Sequence, residues 1–261
     1  MRALLILLAG AAAVEAAELE IRYLAHAAFQ LTSPGGTRLV VDPYNSHVWL
    51  GYSFPQDISA DAVLVTHPHF DHDAHYYVRG FPAVFRNPGR YAVGDVTIEG
   101  VKGRHADPYG AEFGRLNTIW VIEIAGVRLV HVGDNGPLSP ATVRALGRVD
   151  ILLLPVDETE HILKFAEIES ILSAVRPRVV VPMHYRLGPG MGPEDLGGID
   201  SWLKKFGRVR EVGNRARFSS RDLPAEQTAY RFQPAAEVRP WSAEFWEAIR
   251  TVRQFHRLVE Q

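Results

Sequence analysis

Residues 62–72 read Ala62-Val63-Leu64-Val65-Thr66-His67-Pro68-His69-Phe70-Asp71-His72. The unbroken apolar run at the front reads as a short strand buried on both faces. Directly behind it come three imidazoles and a carboxylate within six positions, a density that neither a solvated loop nor an apolar core calls for. In an extended segment residues two apart share a side, so His67 and His69 point together as the strand ends. Pro68 between them stiffens the segment and reduces the ordering that ligand binding requires. Asp71 and His72 begin the next element and face back toward the same point or toward a second ion. Neutral imidazole and carboxylate are the donors suited to Zn, Mn or Fe.

Outward from this stretch, short β-rich runs alternate with turns. Leu19–Leu24 and Ala28–Thr32 read as strands, with Ser33-Pro34-Gly35-Gly36 turning the chain into Arg38-Leu39-Val40-Val41. Further strands are predicted at Ala92–Thr97, Thr118–Ile124, Val127–Val132, Ile151–Leu154 and Val179–Val181. Phe165–Val175 carries apolar residues at Phe165, Ile168, Ile171, Leu172 and Val175, a helical period closed by Pro177. Pro140–Leu146 is a shorter helix. Near the end, Ser242 caps a predicted helix whose stripe of Phe245, Ile249, Val252, Phe255 and Val259 reads as core packing. Strands in two groups with interspersed helices give an α/β layered sandwich, and no linker divides residues 17–261, so one domain is expected.

The 261 residues are 47% hydrophobic and 22% charged with a net charge of -2, which leaves no basic surface for nucleic acid or anionic membrane. Met1-Arg2, an apolar run from Ala3 to Val14 and the small-residue exit at Val14-Glu15-Ala16 read as a secretory signal peptide over residues 1–16. The run is shorter than the ~20 apolar residues that cross a bilayer. A periplasmic or secreted protein without stable membrane insertion is expected after its removal. There is no cysteine, so disulfides are excluded and any transition-metal site must be built from imidazole and carboxylate.

His67-x-His69-x-Asp71-His72 resembles the HxHxDH signature of the metallo-β-lactamase superfamily. Other segments resemble that family in the same order along the chain. Val41-Asp42-Pro43 is similar to its strand-end Asp that braces the metal loop, and His105 stands where the family places a further imidazole. His131-Val132-Gly133-Asp134 resembles its strand ending in Gly-Asp, and Val181-Pro182-Met183-His184 resembles its last metal motif. The resemblance implies a four-layer αββα sandwich and a hydrolase with two divalent ions, zinc first, with Mn or Fe as alternates. It implies that His67, His69 and His105 hold one ion, that Asp71, His72 and His184 hold the other, and that Asp134 lies between them. A water activated between the ions would then cleave an ester or lactone-type bond in a small molecule. Asp71 is the catalytic candidate for proton transfer.

The first strand narrows the branch. Tyr23-Leu24-Ala25-His26-Ala27-Ala28-Phe29 resembles the Gly-His-Ala-Ser-Phe type of the ascorbate-6-phosphate lactonase-like hydrolases and, more distantly, the N-acylphosphatidylethanolamine phospholipase D-like enzymes. Ala25 and Ala28 stand where that pattern has Gly and Ser. The best-known zinc β-lactamases place a Cys in their second site, and this chain has none. His26, His161, Tyr185 and Arg186 are candidates for contact with substrate, and His131 reads as a structural support. Two other readings remain open from sequence: a phosphodiesterase or phospholipase D-like hydrolase, and a non-catalytic metal-binding module.

Overall fold

The computed structural model describes residues 17–46, 50–188 and 196–237, together with Glu247. The expected signal segment, the glycine-rich stretch after Gly188 and the helix expected from Ser242 lie outside the described residues. In chain order, β1 (Leu19–Ala25), β2 (Ala28–Thr32), β3 (Arg38–Val41), β4 (Ala62–Leu64) and β5 (Ala83–Phe85) come first. A meander follows: β6 (Gly89–Val93), β7 (Val96–Arg104), β8 (Leu116–Ile124) and β9 (Val127–His131). Helix and strand then alternate through α1 (Pro140–Leu146), β10 (Ile151–Pro155), α2 (Phe165–Val175), β11 (Val179–Met183) and α3 (Asp200–Phe206). The strands β12 (Val209–Val212), β13 (Arg215–Phe218) and β14 (Thr228–Phe232) complete the described elements.

These strands form two sheets. One has the order β13-β1-β2-β3-β4-β5, and the other the order β12-β14-β11-β10-β9-β8-β7-β6. Side-chain alternation sorts the first sheet. Leu19, Ile21, Tyr23, Phe29, Leu31, Leu39, Val41, Ala62 and Leu64 join the large core shared with the second sheet, while Leu24, Ala28, Val40, Val63 and Val65 face a second cluster. That outer cluster is completed by Tyr44, Leu50, Tyr52, Phe54 and Ile58 from the segment between β3 and β4. In the second sheet, β10 and β11 pair in parallel and every residue of both is buried, as strands covered on both faces require. Ile168, Ile171 and Leu172 of α2 and Trp202 and Leu203 of α3 pack into the same core.

The predicted α1 and α2 appear with the expected ends, because Ser139 caps the first through the Thr142 N–H at 3.1 Å and Pro177 stops the second. The strand expected over Ala92–Thr97 is instead a hairpin. β6 and β7 pair antiparallel with Val93 opposite Val96, and Gly94 turns the chain at φ 53°.

Strand direction positions the site. β1 and β3 both run antiparallel to β2, and β4 runs parallel to β3. β7 and β9 both run antiparallel to β8, with β10 and β11 parallel to β9. The residues that follow β1, β3, β4, β7, β9 and β11 carry the chemistry: His26, Asp42, His67, His105, Asp134 and His184. Three of them, His26, Asp42 and His184, have left-handed backbones at φ 55°, 46° and 61°. L-residues adopt that conformation at a cost of ~1 kcal/mol or more, so each strand ends in an abrupt turn.

Candidate metal centre

The structure brings all seven expected ligands into one buried cluster. Two groups of donors each lie within 4.8 Å of one another: His67, His69 and His105, and His26, Asp71, His72 and His184. Asp134 links them. Its Oδ2 lies 3.1 Å from His184 Nε2, 3.4 Å from His72 Nε2, 3.7 Å from His105 Nε2 and 3.9 Å from His67 Nε2. Gly133 makes this approach possible: its φ is 59°, and a Cβ there would meet Thr66 Cβ at 2.6 Å and Asn117 Oδ1 at 2.7 Å.

Each imidazole is oriented by what its other nitrogen touches. His72 Nδ1 lies 2.8 Å from Asp42 Oδ2, His67 Nδ1 lies 2.9 Å from Thr66 Oγ1, and His105 Nδ1 donates to the Ala106 carbonyl oxygen at 2.9 Å. All three therefore turn Nε2 toward the cluster. His69 uses the opposite nitrogen: Nε2 meets Glu112 Oε1 at 2.8 Å and Nδ1 faces His67 Nε2 at 3.0 Å. A hydrogen-bond acceptor on the distal ring nitrogen fixes the tautomer and raises the basicity of the other nitrogen, the arrangement typical of metal-bound histidine. Asp42 is the brace: fully buried, it accepts from the Thr66 N–H at 2.8 Å, the Thr66 hydroxyl at 2.7 Å and His72 Nδ1.

The donor set fits divalent cations. Among the described residues, His72 Nε2, His105 Nε2 and Asp134 Oδ1 are buried and find no hydrogen-bond partner, which buried polar atoms rarely tolerate unless something else satisfies them. The charges point the same way. Burial raises the Asp134 carboxyl, but His184 and His72 outweigh it and hold it well below the usual carboxylate range. Asp71 is likewise held well below that range, with His72 and His26 overcoming its burial. Burial lowers His72, yet Asp134, Asp71 and Asp42 drive it well above its ordinary value. His67 is pushed well below by burial and by His72. The two carboxylates thus demand positive charge at the centre, and protons or cations supply it.

His26 is fully buried and reaches Asp71 Oδ2 with Nε2 at 3.0 Å. Burial and then His184 pull its pKa down to about 3, so the neutral ring donates to the carboxylate. His131 supports the cluster from behind, with Nε2 donating to the Ala27 carbonyl at 2.8 Å and Nδ1 accepting from the Gly133 N–H at 3.1 Å.

A cavity of about 190 Å³ opens onto the cluster. His69, Asp71, His105, Asp134 and His184 face it, together with Phe70, Tyr109, Glu112, His161 and Ile162. His161, a substrate candidate from sequence, is among these walls, and its ring stacks on Tyr109 with centroids 4.5 Å apart. Tyr185 and Arg186, also substrate candidates from sequence, are not among the described residues that line this cavity. Tyr185 follows the left-handed His184 and is only 3% exposed in the core. Arg186 is held by its backbone N–H on Gly197 O at 2.8 Å, and its charge acts on Glu158 and Tyr52.

Sequence reasoning missed Glu112 and Tyr109. The signal available was the pair of glycines around Ala111-Glu112-Phe113: Gly110 and Gly114 are left-handed at φ 73° and 64°, and a Cβ on Gly110 would meet His105 Cγ at 2.7 Å. Glu112→Gln keeps the bulk and removes the charge behind His69. Metal affinity is expected to fall about tenfold, as for other partners of metal-bound histidine. Competition against a chelating indicator measures it, and unchanged affinity would assign Glu112 no part in orienting His69.

Comparison with known proteins places the chain among related sequences and folds. Residues 20–184 match the β-lactamase superfamily domain. A UPF0173 metal-dependent hydrolase of Thermococcus onnurineus is 28% identical over 204 residues, spanning 68% of this chain and 90% of the relative. One from Myxococcus xanthus is 29% identical over 233 residues, covering 77% and 82% respectively. The crystal structure of a metallo-β-lactamase superfamily protein from Thermotoga maritima superposes with a TM-score of 0.67 at 30% identity, covering 82% of this chain and 98% of that one. With its two-sheet α/β sandwich and strand-end histidines, this chain belongs to the metallo-β-lactamase superfamily.

Proposed function

We propose that this metal-dependent hydrolase cleaves an ester or lactone-type bond in a small molecule, using two divalent cations, zinc first. The observation that carries the reading is Asp134, whose single oxygen lies between 3.1 and 3.9 Å from four imidazole nitrogens drawn from both donor groups. One carboxylate reaching two groups of ligands suits a two-ion site better than a one-ion site. The metal-dependent hydrolases among its relatives support the same reading. His67, His69 and His105 would hold one ion, Asp71, His72 and His184 the other, and Asp134 would touch both.

Bound cations supply Lewis acidity and lower the pKa of water. The chain's own part is orientation and proton transfer. Asp71 borders the cavity while His26 holds its Oδ2, so its rotation is fixed and it takes the proton released by the attacking water. His161 and Tyr109, stacked on one another, wall the same cavity. The leader-like residues 1–16 add the proposal that a single mature domain works in the periplasm or outside the cell.

The test is metal analysis of protein purified without chelators, with turnover of a panel of lactones, cyclic nucleotides and bis-aryl phosphates. Two ions per chain and preference for lactones or esters are expected. Chelation should abolish turnover and zinc should restore it. Full activity in both Asp71→Ala and His69→Ala would end the proposal.

A further inference from the structure

The residues around the mouth of the cavity differ in character from its metal-facing floor. Phe70 is 47% exposed, Tyr109 40% and Phe113 38%, a degree of aromatic exposure that marks a binding surface when it is clustered. Phe70 and Tyr109 border the cavity, as does Ile162, and the Phe113 ring packs edge-on against His69 at 5.3 Å. The rings continue inward: Tyr109 stacks on His161 at 4.5 Å, and His161 on His184 at 5.8 Å. An aromatic wall therefore runs from solvent to a histidine of the cluster.

Charge is the second observation. Among the described residues no Lys or Arg borders the cavity. Arg115 reaches the neighbouring turn, where its Nη1 donates to the Tyr109 carbonyl oxygen at 3.2 Å, but Asp107 is its salt-bridge partner. Among the described residues the carboxylates that line the cavity are Asp71, Asp134 and Glu112, of which Glu112 alone is exposed. A phosphate or carboxylate carried on the substrate away from the scissile bond would lose its hydration there without gaining a cation, and would face Glu112.

We infer that the part of the substrate held in this mouth is neutral and apolar, with an aromatic ring or a short alkyl chain, and that phosphorylated lactones are excluded. This rests on the hydrolase reading above and names its substrate class. Stacking and apolar burial against Phe70 and Tyr109 supply the binding energy, while selectivity comes from the absence of an anion partner among the described residues.

Two measurements test it. In the first, matched esters differing only by a remote phosphate are compared on the zinc-loaded enzyme, and kcat/KM is expected to favour the neutral ester by at least tenfold. Phe70→Ala and Tyr109→Ala should each raise KM for a phenyl ester several-fold more than KM for the methyl ester of the same acid. In the second, binding of benzohydroxamate and acetohydroxamate to the same zinc-loaded protein is compared by calorimetry. At least fivefold tighter benzohydroxamate binding is expected, reduced to parity in the Phe70→Ala, Tyr109→Ala double variant. Preference for the phosphorylated ester, or equal binding of the two hydroxamates, would overturn the inference. Turnover of no ester of either kind, with benzohydroxamate still preferred, would overturn the ester and lactone assignment while the apolar preference of the mouth stands.

Discussion

Asp134→Asn is expected to lower kcat/KM by about a thousandfold, or ~4 kcal/mol of transition-state stabilisation. Bound metal should fall to one ion per chain or fewer. The substitution keeps the side chain's volume, so the effect comes from charge and donor type. As a carboxylate, Asp134 offers an oxygen to His184, His72, His105 and His67 at 3.1 to 3.9 Å. It also keeps a buried Oδ1 with no hydrogen-bond partner among the described residues. An amide puts an N–H₂ donor where an oxygen is needed, or leaves the imidazoles with a weaker, uncharged acceptor. Metal content by mass spectrometry and kcat/KM on the best ester of the panel give the answer. A variant that keeps two ions and a tenth or more of the parent rate would show that Asp134 does not lie between them.

The second large effect is on stability. Asp42→Ala removes one buried carboxylate and leaves three donors without an acceptor: the Thr66 N–H, the Thr66 hydroxyl and His72 Nδ1. Stripping one partner from a buried charged network costs about 3–5 kcal/mol. In a domain of this size each kcal/mol moves Tm by about 2–4 °C, so a fall of roughly 10 °C is expected. The measurement belongs in metal-free protein, because bound metal adds its own linkage to Tm. Asp42→Asn keeps an acceptor for Thr66 and should lose less. A loss under ~1 kcal/mol for Asp42→Ala would mean that water or a shifted side chain replaces the brace.

Much of the fold and the centre is legible in the sequence because it is local. His67, His69, Asp71 and His72 fall within six residues, and the period-two pattern of β1 to β3 is enough to separate their two faces. α2 is bounded by its own stripe and by Pro177. Asp134, His105 and His184 can be named only through family resemblance, since nothing in their spacing says that separate strands end side by side. The hairpin at Gly94-Asp95 carries a readable turn signal, but a β-rich neighbourhood on both sides hides it. Adjacency alone does not place Tyr185: it follows His184, whose backbone is left-handed at φ 61°, and its side chain is buried in the core. β12 to β14 and α3 are short, and three of the four have exposed residues along much of their length, so their periodicity is faint. The β13–β1 pairing joins residues almost two hundred positions apart and no local pattern encodes it.

The segment between β3 and β4 does more than cover an apolar face. The Asn45 N–H donates to the Phe70 carbonyl at 2.9 Å, and the Ala74 N–H donates to the Pro43 carbonyl at 2.7 Å. The backbone that bears Asp71 and His72 is therefore stitched at both ends to the chain that carries Tyr44, Tyr52 and Phe54 on the far side of the sheet. Damage to that aromatic padding should register at the metal centre before it registers as global unfolding. A screen for weakened metal retention would then recover positions that make no contact with an ion.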